Sequence, residues 1–374
     1  MDNIFNKEYD YLIVGAGLYG AIFAYEANKA NRRCLVIDKR SHSGGNVYCE
    51  EIEGINVHKY GAHIFHTDDQ AIWNYVNQFA QFNNYVNSPL ADVNGELFNL
   101  PFNMNTFYQL WKTRTPAEAR NKIQAQINEL KITNPSNLEE QAMLMVGRDI
   151  YEKFIRHYTE KQWGRKATEL PTFIIKRIPL RFSFNNNYFN DRYQGIPIGG
   201  YNKIIDTLLK NIDVRLNTDY NKNKDFFSGL AKKIVYTGKI DELFNYEFGA
   251  LEYRSLNFEH SLLRTSNYQG NAVINYCGSD VPYTRVIEHK HFESNSLLSH
   301  TVITREYPLF ASENSEPFYP INDEKNNQIY RKYKDLATTD QRLILGGRLA
   351  NYRYYDMHQV IGAALSQVRR DLAI

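Results

Sequence analysis

Three short segments of the chain set arginine beside aromatic residues: Lys176-Arg177-Ile178-Pro179, Pro282-Tyr283-Thr284-Arg285, and Gly347-Arg348 with Tyr352, Tyr354 and Tyr355 downstream. A guanidinium fork matches the paired oxygens of a diphosphate, and a tyrosine matches a sugar or a base, so the set points to a nucleotide-sugar pocket. Composition alone leaves the plainer alternative open, namely surface cation–π contacts and ion pairs. Gly61-Ala62-His63-Ile64-Phe65-His66-Thr67 holds two histidines three apart. No complete ligand set is read from the pair and its surroundings, so no metal site is expected. The ordinary reading is one packed and one hydrogen-bonded imidazole, although His63, in a glycine loop, is also placed to approach a bound cofactor. The chain has no GxSxG elbow, no GxxxxGK[ST] loop and no Cys–His nucleophile signature. Its chemistry is therefore expected to belong largely to a cofactor.

The element that would hold the cofactor stands near the start. The apolar run Tyr11-Leu12-Ile13-Val14 leads into Gly15-Ala16-Gly17-Leu18-Tyr19-Gly20 and then into the helix-like AIFAYEANKANR. In this strand, turn and helix, Gly15 permits the tight turn, Gly17 lets backbone approach a pyrophosphate, and Gly20 lets helix and strand pack closely. A second apolar run, Cys34-Leu35-Val36-Ile37, ends at Asp38, eighteen positions after Gly20, where an acidic side chain accepts hydrogen bonds from an adenosine ribose. The following Gly44-Gly45-Asn46 resembles an extension of flavin enzymes of the amine-oxidase-like class and favours FAD over NAD, while taken alone it serves equally as a loop. Near the C-terminus, Arg342-Leu343-Ile344-Leu345 is an apolar strand closed by Gly346-Gly347-Arg348, and Asp356 stands where it would cap the helix MHQVIGAALSQVRRDL. That element would offer the cofactor a second helix N-terminus. Taken singly, Asp356 is simply a cap.

These segments must be positioned by 374 residues, enough for two or three domains. Residues 104–180 turn helical: TPAEARNKIQAQINELK, a helix opened by Asn137-Leu138-Glu139-Glu140, and DIYEKFIRHYTEKQW stopped by Gly164. Between about 250 and 320, alternating aromatic-rich segments such as NAVINYCG and HTVITREYP predict an antiparallel sheet. The fold class expected is α/β, an FAD-binding Rossmann-like domain with an inserted helical domain and an antiparallel β-sheet domain. The FAD domain is expected to be discontinuous, from 1–85, about 196–245 and 330–374; the helical domain covers about 103–185, and the sheet domain about 86–102, 186–195 and 246–329.

Composition excludes other classes. The 44 Lys+Arg against 42 Asp+Glu leave a net charge of +2, which removes the main drive for nucleic-acid binding. A mean hydropathy of −0.54 and the lack of any long apolar run argue against membrane insertion. Three cysteines without a CxxC pair, and an N-terminus without signal-peptide character, fit a reducing cytoplasm. Aromatic residues reach 14%, with 28 tyrosines, suiting pockets that stack rings and bind sugars.

The strings GAGLYG, SGGN, YGAHIFHT, YTEKQWG, IKRIPLRF, NNYFNDRYQG, NYCGSDVPYTRVIEHKHF, PFYPIND and GGRLANYRYYDMHQV run through almost the whole chain. Together they closely resemble the bacterial UDP-galactopyranose mutase family. The resemblance implies an isomerase, a homodimer, and reversible conversion of UDP-galactopyranose to UDP-galactofuranose without net redox. It implies activity only with reduced FAD, whose N5 is the nucleophile at the anomeric carbon, a cellular reductant such as NAD(P)H, and supply of galactofuranose to cell-surface glycans. Carried onto this chain, Tyr158 stacks on uracil with Phe154 nearby, and Trp163 borders the galactose pocket. Arg177 is the mobile-loop arginine that closes on the diphosphate and Arg285 the fixed one. Tyr188, Tyr319 and Tyr354 bond the phosphates, Asn275 joins the substrate site, and Asp356 lies near the sugar. His63, Arg348 and Met357 lie beside the flavin, with Gly15, Gly17, Gly20, Asp38, Gly44, Gly45 and Asn46 along the rest of the cofactor. Two other readings compete: a flavin-dependent amine oxidase-like oxidoreductase, which has no diphosphate to bind, and a non-catalytic nucleotide-binding regulator.

Overall fold

The computed structural model describes residues 8–175, 178–293, 297–310 and 315–373. Tyr9–Val14 and Cys34–Ile37 carry near-continuous apolar runs, which suits strands covered on both faces, and they pair in parallel at the centre of a five-stranded sheet. The order from one edge is Leu343–Leu345, Ala231–Tyr236, Tyr9–Val14, Cys34–Ile37 and Asp213–Arg215, all parallel. Leu18–Lys29, Asn202–Leu209 and Met357–Leu372 bury their apolar sides in one core with this sheet, through residues such as Phe23, Ile205 and Ile361.

A seven-stranded sheet runs in the order Tyr319–Pro320, Tyr253–Leu263, Thr301–Phe310, Arg285–Glu288, Val273–Tyr276, Leu90–Val93, Glu96–Asn99. It departs from the expected pattern at one junction, because Val273–Tyr276 and Leu90–Val93 pair in parallel. The chain between these two strands is long enough to return to the same end, which no short turn could do. Tyr193–Gly195, expected within this sheet, instead pairs with Phe65–Thr67.

Helices cover the Leu90–Asn99 end of that sheet, where Ala91, Val93 and Phe98 share a core with Phe107, Ile150 and Phe154. Thr115 and Glu118 form a reciprocal capping box at the start of Pro116–Glu129, with Pro at the first turn. Asn137 caps Leu138–Val146 by accepting from Glu140 N. The single helix expected over 149–163 is broken: a π-type turn at Tyr151–Ile155 separates Arg148–Ile150 from Arg156–Trp163. Gly164 ends it at φ +63°, and a Cβ there would stand 2.8 Å from the Phe310 ring. Among the described residues no helix is long and apolar enough to cross a membrane.

Candidate active site

Two cavities, of about 600 and 670 Å³, open between the sheets and share Gln162, Tyr188, Asn275, Arg285, Tyr319 and Tyr354. The first is floored by the two glycine turns. Gly15 adopts φ +111° and a Cβ there would meet Thr237 Oγ1 at 2.0 Å; a Cβ on Gly20 would meet the Gly15 carbonyl at the same distance. Gly17 and Gly44 form a parallel bridge, and a Cβ on Gly45 would stand 3.0 Å from Gly17 Cα. A Cβ on Gly15 or Gly20 would therefore collide, while Gly44 and Gly45 hold positive φ and Gly45 is tight against Gly17, so the floor is bare backbone. Leu18–Lys29 begins at Gly17 with no side-chain cap and no acidic residue in its first turn, so its free N–H groups face the cavity as an anion site. Asp38 accepts from the Ala16 N–H at 2.7 Å and the Arg40 N–H at 2.9 Å, which fixes its carboxylate at the rim. Asn46 accepts from Arg40, whose guanidinium also pairs with Glu316 at 2.9 Å and lies over the Tyr60 ring.

The other end of this cavity is lined by His63, Arg348, Asp356 and Met357. Arg348 donates to the Phe318 carbonyl at 2.8 Å and lies over the Tyr354 ring at 4.7 Å, while its Nε is buried without a partner. Tyr354 in turn stacks with Tyr319 at 5.4 Å. At the junction of the two cavities, Arg285 Nε donates to Asn275 Oδ1 at 2.9 Å and Arg285 Nη1 stands 3.3 Å from Glu306 Oε2. Burial works against the Arg285 charge, but Glu306 and the neighbouring tyrosines outweigh it and hold the guanidinium above its usual range. Burial also pushes the Tyr158 hydroxyl up to about 12 and raises Tyr319 and Tyr354, so all three stay protonated donors.

The second cavity is apolar, lined by Phe154, Tyr158, Trp163, Phe173, Ile174 and Ile178 among others. Phe154 is the least available of these: it is 2% exposed and packs edge-on against Phe98, leaving Tyr158 as the aromatic face. Lys161, one turn beyond Tyr158, donates to the carbonyls of Tyr276, Val281 and Tyr283 at 2.8, 3.2 and 3.1 Å. It thereby clamps the helix bearing Tyr158 and Trp163 to the loop between Asn275 and Arg285. Arg177 lies outside the described residues; Ile175 and Ile178 beside it line this cavity.

The histidine loop differs from its sequence reading. His63 Nδ1 lies 2.8 Å from the Gly61 carbonyl, so Nδ1 carries the proton and Nε2 is left as an acceptor. Burial, only partly offset by that carbonyl, lowers the His63 pKa to about 4. Asp68 and Asp69 follow the histidine pair in sequence, but the carboxylates that approach His66 in space come from elsewhere in the chain. His66 Nδ1 pairs with Asp191 at 2.9 Å and its ring stacks on Phe189 at 3.8 Å. His66, Asp356 and His358 also bring ligand-type atoms within 4.8 Å of one another. Asp356 sits at the start of Met357–Leu372, where its N–H donates to Gln359 Oε1.

Apart from Arg177, every residue assigned from sequence lines one or both cavities. Sequence reasoning missed Tyr60, Asn87, Lys161, Phe189 and Glu306, and it singled out His66 without giving it a place in the site. Of the missed residues only Glu306 carried a signal, as an acid within the β-like run HTVITREYP.

Comparison with known proteins gives a consistent picture. The family model for UDP-galactopyranose mutase matches residues 153–354, and one for an NAD(P)-binding Rossmann-like domain matches 13–79. A probable UDP-galactopyranose mutase of Klebsiella pneumoniae is 40% identical, the alignment covering 95% of this chain and 92% of that one. A dTDP-fucopyranose mutase of Escherichia coli is 38% identical over 95% and 96% of the two chains. A crystal structure of reduced UDP-galactopyranose mutase superposes with a TM-score of 0.76 at 15% identity, covering 98% of this chain and 96% of that one, a likeness of fold.

Proposed function

The chain belongs to the UDP-galactopyranose mutase family, and from that premise we propose that it interconverts UDP-galactopyranose and UDP-galactofuranose with FAD held reduced in the glycine-floored cavity. The observation that carries this reading is the junction itself. A dinucleotide cavity and an apolar, aromatic cavity meet at one guanidinium, Arg285, ringed by Tyr188, Tyr319 and Tyr354. A ligand bearing a diphosphate between a base and a sugar fits that plan, whereas an amine does not.

FAD suits the first cavity because its pyrophosphate needs backbone approach at Gly17 and Gly45, and because Arg348 Nε is buried with no acceptor of its own. When bound and reduced, the flavin supplies an electron-rich N5 as nucleophile toward the anomeric carbon. The chain's own residues bind and orient. Tyr158 stacks on the uracil, with Trp163 at the border of the sugar site. Arg285 carries charge to the diphosphate, where negative charge grows as the anomeric C–O bond breaks, so its contribution is largest in the transition state. The protonated hydroxyls of Tyr319 and Tyr354 donate to the same oxygens, joined by Tyr188. Asp356 and His66 face the sugar hydroxyls, and His63, kept neutral, offers only an acceptor toward the flavin side. Arg177 joins Arg285 on the diphosphate as its loop closes. The working form is a homodimer kept reduced by a donor such as NAD(P)H, and its product supplies galactofuranose for cell-surface glycans.

The test is incubation of the dithionite-reduced holoprotein with UDP-galactofuranose, with dTDP-fucopyranose run in parallel because one relative acts on it. UDP-galactopyranose should form, with many turnovers per reducing event. Turnover with oxidised flavin, or one reductant consumed per product, would favour a flavin oxidoreductase. Turnover of the dTDP sugar alone would reassign the substrate.

A further inference from the structure

Glu306 is a carboxylate buried to 3% exposure in the wall of the dinucleotide cavity, and the reaction assigns it no part. Its place is set by the sheet: Thr301–Phe310 pairs antiparallel with Arg285–Glu288, and Arg285 and Glu306 are direct cross-strand partners. Non-covalent contacts radiate from this side chain to two functional segments. Toward the substrate junction, Oε2 stands 3.3 Å from Arg285 Nη1. Toward the flavin, the carboxylate accepts from the Ala62 N–H. Oε1 also comes within 2.8 Å of where a Cβ on Gly61 would stand, so Gly61 at φ +92° leaves room for it. His63 follows directly on the same loop, and Tyr201 holds the His63 carbonyl at 3.0 Å.

A carboxylate taken out of water at such depth is costly: burial raises the Glu306 pKa, and the Arg285 charge and the Ala62 N–H offset that only in part. Here the cation is the one that the ligand's diphosphate must also use. Arg285 has five donors in a fixed fork; Asn275 takes Nε and Glu306 faces Nη1, so the remaining donors are aimed by these two anchors. Because a guanidinium cannot shed its proton, Glu306 also offsets the Arg285 charge before any ligand arrives.

We propose that Glu306 is a positioning residue that ties Arg285 to the Gly61–His63 loop and, by sharing the Arg285 charge, limits how tightly the site holds UDP. The tie keeps the diphosphate cation at a set distance from the flavin-facing loop. The shared charge keeps ground-state binding weak, so that the Arg285 field is felt most when the leaving diphosphate gains charge. This rests on the function proposed above, and the two fail differently: an inactive wild-type protein sinks the function, while an active wild type with indifferent Glu306 variants sinks only this proposal.

Glu306→Gln and Glu306→Asp in the reduced holoprotein separate positioning from mere support. Glutamine keeps an acceptor for Ala62 N–H but removes the charge; UDP, titrated as the probe by flavin fluorescence, should bind about tenfold tighter, while kcat falls about tenfold or more. Aspartate keeps the charge but is one methylene short of spanning both contacts; UDP affinity should stay near wild type while kcat falls. A plain structural ion pair would instead lower the melting temperature and leave UDP affinity and kcat per folded protein unchanged. That result for either variant overturns the proposal, as does weakened UDP binding in Glu306→Gln. If Glu306→Gln fails to bind FAD, the aspartate variant decides alone, and wild-type kcat in it is the overturning result.

Discussion

Asn275 and Arg285 face each other across the Val273–Tyr276 and Arg285–Glu288 strands, with Arg285 Nε donating to Asn275 Oδ1 at 2.9 Å. The amide therefore fixes the plane in which the guanidinium fork meets the ligand. Arg285→Ala should lower kcat by about 100-fold or more, the usual cost of one preorganised electrostatic contact, and Arg285→Lys should not restore it, because lysine lacks the fork. Asn275→Ala leaves the charge but frees its orientation and should cost about tenfold in kcat/KM. Steady-state kinetics at full flavin reduction checks both; near-normal kcat/KM for Arg285→Ala would remove it from the site.

Tyr158 presents the open aromatic face of the second cavity, since Phe154 is spent on core packing. If uracil stacks there, Tyr158→Ala should weaken UDP binding by about 1–3 kcal/mol, as for bases stacked on aromatic side chains. Calorimetric titration with UDP measures it, and an unchanged affinity in a folded variant would leave Tyr158 as a packing residue.

Lys161 satisfies three carbonyls of the 276–283 loop at once. Lys161→Met keeps the stem and strands those acceptors, so stability should fall by about 1–3 kcal/mol. The loop it releases leads into Arg285, so KM for the UDP-sugar should rise as well. Urea unfolding paired with kinetics distinguishes this from a surface lysine, whose loss would change neither.

Acid should destabilise the protein earlier than carboxylate titration alone. Burial holds His58 at about 3 and His63 at about 4, and His289 well below its usual value. These imidazoles are tied in series, with His58 Nδ1 accepting from the His63 N–H and His289 Nδ1 from the His58 N–H. In the unfolded chain each takes a proton below about pH 6.5, whereas the folded state cannot follow until near its lowered pKa. Their contribution is complete above pH 6.5 and is lost as pH falls from there toward 4, by up to about 1.4 kcal/mol per unit for each imidazole. Melting temperature recorded from pH 7.5 to 5 should drop steadily; a flat profile would mean that these histidines titrate freely.

The glycine turns, the two apolar strands beside them and the helix start at Asn137 were legible from sequence, because a positive φ, a near-continuous apolar run and a side-chain cap are each written in the residue types at those positions. Backbone at φ +111°, as at Gly15, admits almost nothing but glycine, so that requirement is written at the position itself. The arginines beside tyrosines suggested a nucleotide-sugar pocket by their chemistry, but the individual role of each was legible only through resemblance to a family, since spacing in the chain says nothing of convergence. Tertiary structure alone decided the rest: the parallel junction between Val273–Tyr276 and Leu90–Val93, the π-type turn before Tyr158, the Asp191 partner of His66 and the Glu306 partner of Arg285. In each of the two side-chain pairs the partners lie many residues apart and become neighbours only through the path of the chain. An acid in a strand pattern reads as a solvent-facing residue until that path shows it sealed against a guanidinium, because burial, unlike backbone conformation, is a property of everything packed around a residue and not of the residues beside it in sequence.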